Sequence, residues 1–484
     1  MTVTHHADSP ASTTEEPPFA AMKATFERLR RASRAHTPSA EERQGWLSRL
    51  ERTLIKRQEA IANAISQDFG SRSRHETLMA EVLLTVEECR HARNNLAAWM
   101  KPRPRPVHWA CRPAHAELLP QPLGVVGVIA PWNYPVNLCF GPAVGALAAG
   151  NRVLFKPSEL TPTTSALLED LVAETFEPDV AQVLTGGPEV AEAFSRLPLD
   201  HLVFTGSTRV GKIIMRAAAE NLVPVTLELG GKSPALVAGD YPLEDAAARI
   251  AAGKLFNAGQ TCIAPDYVLV PAGRERAFVD ALQKAVAKMY PRMVDNPDYS
   301  TIVSDRHLAR LRTLVEEARA GGAEVLELNP GGESAPETSR KFLPTVLLGV
   351  RDDMAVMQEE LFGPVLPVLG YGTLDDALAA VNDRPRPLAF YVFSRDSTVV
   401  QRAVEGTVSG GVVVNDVVLH FAQPDLPFGG VGPSGMGAYH GEKGFETFSM
   451  LKPVFHQSRF SATPYRSPPY GAVVDGYLKL VLRR

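Results

Sequence analysis

Cysteine is scarce in this chain: four in 484 residues, at 89, 111, 139 and 262, none in a CxxC pair and none spaced with histidine as metal ligands are. That argues against a disulfide scaffold and a structural zinc site, and no metal is expected; a reducing, cytoplasmic setting is. Long apolar runs are missing as well. No stretch approaches a bilayer span, and the N-terminus has no basic region followed by an apolar one, so neither a membrane segment nor a secretory leader is expected. Charge of one sign is absent in bulk. A net charge of -4 gives no basic face for nucleic acid, so no nucleic-acid partner is expected. What is present is a globular balance, 45% hydrophobic and 21% charged, in a chain too long for one core. Two or three domains are expected.

Residues 1–18, rich in Thr, Ser, Pro and Glu, read as a disordered tail in which His5-His6 is solvated. From Phe19 to about Met100 the apolar spacing is helical. The sets Ile61, Ala64, Ile65 and Met79, Val82, Leu83 are expected to face a core, and Asp68-Phe69-Gly70 to divide the stretch into two long helices. Lys101-Pro102-Arg103-Pro104-Arg105-Pro106 reads as a solvated connector without regular structure. Residues 117–130 read as a turn between short strands, with a hairpin near 113–125. Strands then alternate with helices, which predicts a doubly wound parallel sheet. A second alternation from Tyr267 to Asn415 predicts a second α/β domain. Phe445 to Val454 is expected to form an edge strand, and Leu478 to Leu482 a packing helix too short to anchor in a membrane.

Ligands in doubly wound sheets bind at the carboxyl ends of strands, where Asn133, Lys156, Glu159 and Thr205-Gly206-Ser207 fall. Gly206-Ser207-Thr208-Arg209-Val210-Gly211-Lys212 fits the P-loop pattern except at its last place, where Ile213 replaces the hydroxyl that holds magnesium, so triphosphate hydrolysis is rejected. It remains a strand, a tight turn and a helix whose first amides can meet a pyrophosphate. Gly430-Val431-Gly432-Pro433-Ser434-Gly435 matches GxGxxG without a clear following helix and is taken as a loop. Two further blocks carry the chemistry: Glu228-Leu229-Gly230-Gly231-Lys232-Ser233-Pro234, and Asn257-Ala258-Gly259-Gln260-Thr261-Cys262-Ile263-Ala264-Pro265. A thiol beside glycines is a candidate nucleophile. A carboxylate at the end of the apolar run Val223 to Leu227 is a candidate general base, its pKa raised by dry surroundings. Each alone would more often be a buried small hydrophobe and a surface acid.

These blocks resemble the two signature segments of the aldehyde dehydrogenase superfamily. Pro131-Trp132-Asn133-Tyr134-Pro135, Phe155-Lys156-Pro157-Ser158-Glu159, Phe204-Thr205-Gly206-Ser207-Thr208, Glu359-Glu360-Leu361-Phe362-Gly363-Pro364 and Pro427-Phe428-Gly429-Gly430 are similar to further motifs of the family, in its order, over residues 20 to 470. The resemblance implies an α/β chain of two doubly wound domains, cofactor-binding (19–228, with the N-terminal helices) and catalytic (229–440). A small β oligomerisation element would be completed by 441–484. It implies oxidation of an aldehyde to its acid through a thiohemiacetal and a thioester on Cys262, with Asn133 and the Cys262 amide as oxyanion donors and Glu228 activating water. It implies NAD, with NADP use possible: Lys156 and Glu159 at the adenosine ribose, Gly206, Ser207 and Gly211 at the pyrophosphate, Glu360 at the nicotinamide ribose, Phe362 beside the ring, and Leu229 in the same set. A homodimer is implied too. The stretch Gly432 to Gly441 resembles the class 3 branch, and Asp68 to Glu76 with Asn296-Pro297-Asp298-Tyr299 resemble bacterial coniferyl aldehyde dehydrogenases, which points to bulky aromatic or long aliphatic aldehydes. Transfer of the acyl group to coenzyme A, or a silent homologue, are the alternatives; the presence of Glu228, and of all three catalytic residues, argues against each. Trp132, Tyr134 and Tyr267 remain open between core and pocket wall.

Overall fold

The computed structural model describes residues 17–482 apart from 337, 462, 464 and 465. The expected disordered tail therefore lies outside the described residues, save its last two, which begin the first helix, Pro17–Ala35. The N-terminal helical region is divided more often than its periodicity suggests. Helices Ala40–Lys56 and Gln58–Phe69 follow, the former opened by a capping box in which Ser39 accepts from the Glu42 amide and Glu42 reaches back. Gly70, at φ +84, ends the third helix at the expected break. Beyond it a rod runs from Arg74 to Trp99, interrupted by a π-helical segment at Leu78–Leu83. Such segments recur at functional sites because the widened turn redirects side chains.

The strands are β1 (Arg103–Arg105), β2 (His115–Pro122), β3 (Val125–Ile129), β4 (Arg152–Lys156), β5 (Ala181–Val183), β6 (His201–Gly206), β7 (Val225–Leu229), β8 (Pro234–Val237), β9 (Tyr267–Pro271), β10 (Glu324–Glu327), β11 (Thr345–Leu348), β12 (Val365–Tyr371), β13 (Ala389–Phe393), β14 (Gly411–Val414), β15 (Gly435–Met436) and β16 (Ser449–His456). They build three sheets. The first has the order β15-β7-β6-β3-β4-β5 and is parallel except for β15; the second, β10-β11-β12-β9-β8-β13-β14, is parallel except for β10. The third is the antiparallel β1-β2-β16.

Three expectations change here. The proline-rich connector is not irregular: Arg103–Arg105 pairs with β2 as an edge strand, where prolines without an N–H are tolerated on the open side, and Arg103 pairs with Glu442 and Glu446. The hairpin expected near 113–125 is made by β1 and β2, while β3 across Gly124 belongs to another sheet. The edge strand expected from Phe445 starts only at Ser449, because Gly441–Thr447 is helical and buries Phe445. Strand β10 went unforeseen, its Glu-Val-Leu-Glu pattern being short and half-exposed.

In the first sheet the chain starts at β3, winds to β5 on one side and returns to β6 and β7 on the other, so the order reverses between β3 and β6. Side chains from Pro17–Ala35, including Met22, Phe26 and Leu29, cover one face of this sheet. A crevice opens at such a reversal, outside the carboxyl ends of the strands. The Trp132-Asn133 loop leaves β3 and the Ser207 turn leaves β6, flanking that crevice. Leu229 ends β7 and Pro234 begins β8, so the short link 230–233 joins the carboxyl side of the first sheet to the amino side of the second. Cys262 and Glu360 precede β9 and β12 and so also lie at that amino side.

Candidate active site

Cys262 follows a backbone held in an uncommon shape. Asn257 (φ +50) and Ala258 (φ +51) are left-handed, and Gly259 (φ +75) lies so close to the Gly363 carbonyl that a Cβ there would collide with it. A buried polar web enforces this. Glu76 accepts from the Asn257 amide at 2.9 Å, the Asn257 side chain donates to the carbonyls of Asn133 and Gln260 at 3.2 Å each, and Gln260 Nε2 reaches the Thr301 carbonyl at 2.9 Å. Asn133 is buried, its Nδ2 donating to the Gln260 carbonyl at 3.1 Å. The amide of Asn133 is thus fixed two residues from the sulfur. From the other side Arg72 Nη1 donates to the Asn133 carbonyl at 2.7 Å and to Glu81 at 3.2 Å, and Glu81 accepts from the amides of Val136 and Asn137 at 3.0 and 2.8 Å.

Cys262 is half-buried, with the backbone amides of Cys262 and Ile263 near its sulfur favouring the thiolate. Burial pushes the thiol well up, and the charges of Glu360 and Glu228 push it further. Glu228 is 2% exposed in β7, with neither oxygen hydrogen-bonded, and burial alone holds its carboxyl well above the ordinary range. Thiol, amide and carboxyl therefore lie in one place, as does Glu360. Glu360 rests against Gly230, where a Cβ would collide with it, and leaves Oε1 buried without a partner. Burial raises it to about 8, with Asp266 adding to the effect. Its loop is clamped: Lys232 Nζ donates to Asp266 and to the carbonyls of Val356 (2.7 Å) and Glu359 (3.0 Å), while Arg310 donates to the Glu360 carbonyl at 2.6 Å.

The other expected residues form a row at the carboxyl ends of the first sheet. Lys156 is buried at the end of β4, its Nζ 3.6 Å from the exposed Glu159, and burial lowers its pKa. Ser207 caps the helix Thr208–Ala219, its Oγ accepting from the Val210 amide at 3.4 Å, so that the amides of the first turn face outward. Thr205 Oγ1, buried beside it, has no partner. Leu229 packs on Gly211, where a Cβ would stand 2.7 Å from Leu229 Cδ2. Phe362 is held at φ +53 with its ring 5.3 Å from that of Trp132. The GxGxxG loop is a turn at the sheet edge: Gly435 pairs with Glu228, and the Ser434 carbonyl accepts from the Leu229 amide at 3.0 Å.

Sequence reasoning missed the walls beside the sulfur. A cavity of about 330 Å³ ends at Cys262 and is almost wholly apolar. Met79, Ala80 and Leu83 of the π-helical segment form one wall, and Leu419, Phe421 and Phe256 others. Met79 and Leu83 are 48% and 49% exposed, not core-facing as expected, because the widened turn aims them into this opening while Val82 stays buried. Of the three open aromatics, Tyr134 lines the cavity and its hydroxyl meets Thr261 Oγ1 at 2.6 Å. Trp132 packs on Phe362 and His307, and Tyr267 is core, 1% exposed under Arg384.

The aldehyde dehydrogenase family model matches residues 6–454. This chain belongs to that family. A probable coniferyl aldehyde dehydrogenase of Pseudomonas aeruginosa is 53% identical to it over 94% of either chain, and a coniferyl aldehyde dehydrogenase of another Pseudomonas strain is 48% identical over 90% of this chain and 91% of its own. Among solved structures, the substrate-bound Staphylococcus aureus AldH superposes with a TM-score of 0.89 at 38% identity, covering 95% of this chain and 99% of its own. A Sinorhizobium meliloti NAD-dependent aldehyde dehydrogenase superposes at 0.83 with 29% identity, covering 92% and 88%. The superfamily and the fold expected from the motifs are therefore those of the chain, whose activity is the nicotinamide-dependent oxidation of aldehydes. No described helix is long and apolar enough to cross a membrane.

Proposed function

We propose that this aldehyde dehydrogenase acts on bulky apolar aldehydes, aromatic ones of the coniferyl type among them, using NAD. The observation that carries the substrate class is the apolar cavity of about 330 Å³ at Cys262, whose walls favour a ring or chain over a small polar aldehyde. The names of the Pseudomonas relatives support the aromatic choice.

In this reading the Cys262 sulfur forms a bond to the aldehyde carbon, and the resulting oxyanion takes hydrogen bonds from Asn133 Nδ2 and the Cys262 amide, each worth about 3 kcal/mol. A bound nicotinamide supplies the positive charge that favours the thiolate and the acceptor for the hydride. Glu228, dry and without a partner, removes a proton from water, which attacks the thioester carbon and breaks the C–S bond. A base of this kind favours water over coenzyme A as acyl acceptor. The cofactor cleft fits a dinucleotide: Thr205 Oγ1 and Glu360 Oε1 are buried polar atoms without partners, and the Ser207 turn presents amides. Lys156 and Glu159 would hold the adenosine ribose, Gly206, Ser207 and Gly211 the pyrophosphate beside Leu229, and Glu360 and Phe362 the nicotinamide riboside. A carboxylate at Glu159 disfavours a 2'-phosphate, which makes NAD the better fit and leaves NADP a weaker substitute.

A homodimer in the cytoplasm completes the reading. The open edge of β16 exposes Met450 (52%) and Phe455 (51%), and helix Ala472–Leu482 rests on the chain through Tyr477, whose ring is 5.8 Å from that of Trp109, while Val473 (69%) and Leu480 (71%) stay exposed. Light scattering should give twice the mass of one chain. For the substrate, kcat/KM on coniferaldehyde, benzaldehyde, hexanal and acetaldehyde with NAD and NADP is the test: the bulky aldehydes with NAD should lead, and a preference for acetaldehyde would defeat the assignment.

A further inference from the structure

Asp68 to Glu76 and Asn296-Pro297-Asp298-Tyr299, the two stretches that resemble coniferyl aldehyde dehydrogenases, line no part of the cavity at Cys262. They lie against each other instead. Ser73 Oγ donates to Asp298 at 3.2 Å, Ser300 Oγ donates to Glu76 at 3.2 Å, and the Thr301 amide donates to the Ser71 carbonyl at 2.9 Å. From Thr301 the contacts continue into the catalytic loop, because its carbonyl accepts from Gln260 Nε2 and the Val303 amide donates to Gln260 Oε1, both at 2.9 Å. With Arg72 on the Asn133 carbonyl and Glu76 on the Asn257 amide, one end of the segment 68–76 is tied to the loops around the sulfur.

The other end is Asp68, which the mechanism leaves unused. It sits in the last turn of Gln58–Phe69, where a carboxylate meets the negative end of its own helix dipole. Its partners explain the placement. Asp68 Oδ1 accepts from the Thr163 amide at 2.9 Å, and Oδ2 accepts from the Thr164 amide at 2.8 Å and from Thr164 Oγ1 at 2.7 Å. Asp68 thus caps the helix Pro162–Thr175, whose own N-cap residue Thr161 makes no side-chain cap bond, and sets a negative charge at the positive end of that helix. The start of this helix is fastened in turn to the loop 157–161. The Ser158 carbonyl accepts from the Thr161 amide at 3.3 Å and from Ser165 Oγ at 2.8 Å, and the Leu160 amide donates to Ser158 Oγ at 3.2 Å. Glu159 lies inside that loop. Lys156 precedes it, its Nζ donating to the Pro157 carbonyl at 2.8 Å.

We propose that Asp68 is a positioning residue for the cofactor: by holding the start of Pro162–Thr175 it fixes the loop 157–161 and so sets where Lys156 and Glu159 meet the adenosine ribose. The proposal rests on those two residues holding that ribose. Asp68 acts through the helix and not on the reacting atoms. Because it shares a short segment with Arg72 and Glu76, the adenosine loop and the oxyanion donor hang from one support.

The test is steady-state kinetics of full-length Asp68→Ala, Asp68→Asn and Lys156→Met with NAD and an aromatic aldehyde. AMP, which carries only the adenosine half of the cofactor, is added as an inhibitor competing with NAD. Asp68→Ala should raise the KM for NAD and the Ki for AMP together, each about tenfold, while kcat at saturating NAD stays within about twofold of the wild type. Asp68→Asn keeps an acceptor oxygen for one of the two amides and should fall between. A general loosening of the fold would lower kcat and raise the KM for the aldehyde as well, and that result overturns the proposal. So does an unchanged KM for NAD and Ki for AMP in Asp68→Ala beside a Lys156→Met that raises both. A normal Lys156→Met would instead overturn the assignment of the ribose site itself. If Asp68→Ala fails to fold, Asp68→Asn decides.

Discussion

Cys262, the proposed nucleophile, shows how little a residue's identity says about its readiness. Its thiol is pushed up by burial and by two neighbouring carboxyls, so the resting site disfavours the thiolate, and in the proposed mechanism attack waits for positive charge to arrive beside it. Cys262→Ala should retain NAD binding, read by quenching of protein fluorescence, while NADH formation falls to background; residual turnover above a few per cent would refute the nucleophile. Glu360 makes a pH prediction. Held up at about 8, it is mostly protonated at neutral pH and becomes the better acceptor for ribose hydroxyls as it ionises. The KM for NAD should therefore fall as pH rises through about 8, and Glu360→Gln should raise that KM and flatten its pH dependence, measured between pH 6 and 9. The residue scale was the most legible in the sequence: Cys262, Glu228, Asn133 and Glu360 were named from motifs and share one site. Arg72, Glu76 and Glu81 were not, because their partners lie far away along the chain and no local spacing records such pairings.

At the scale of elements, the rod Arg74–Trp99 does two jobs. Glu76 in its first turn and Arg72 just before it hold the Asn257 and Asn133 loops, and its π-helical segment walls the cavity. Arg72 and Glu81 are both fully buried, so removing one leaves the other as an unpaired charge. Arg72→Met should cost roughly 3 kcal/mol or more in urea unfolding and lower kcat through the freed Asn133, with the KM for NAD little changed; unchanged stability would contradict the role given to this pair. The break at Asp68-Phe69-Gly70 was readable from the sequence, and Gly70 at φ +84 closes Gln58–Phe69 there. The misses have physical causes. Prolines argued against β1 although an edge strand admits them, and Met79 and Leu83 kept a helical period whose apolar face turns out to line an opening.

At the scale of the molecule, two parallel sheets meet end to end across the link 230–233, so that one presents its carboxyl ends and the other its amino ends to the same crevice. The alternation of strands and helices foretold both sheets, whereas the antiparallel β1-β2-β16 joins segments more than 300 residues apart and leaves no trace in local pattern. The architecture brings a sulfur from one sheet's loops to a carboxyl of the other, and chemistry at that junction is the central claim. Intact mass and peptide mapping of Glu228→Gln, quenched after mixing with coniferaldehyde and NAD, test it most directly. One acyl group per chain, on the peptide containing Cys262, is the expected result; an unmodified chain, or an adduct on Cys89, Cys111 or Cys139, would contradict it.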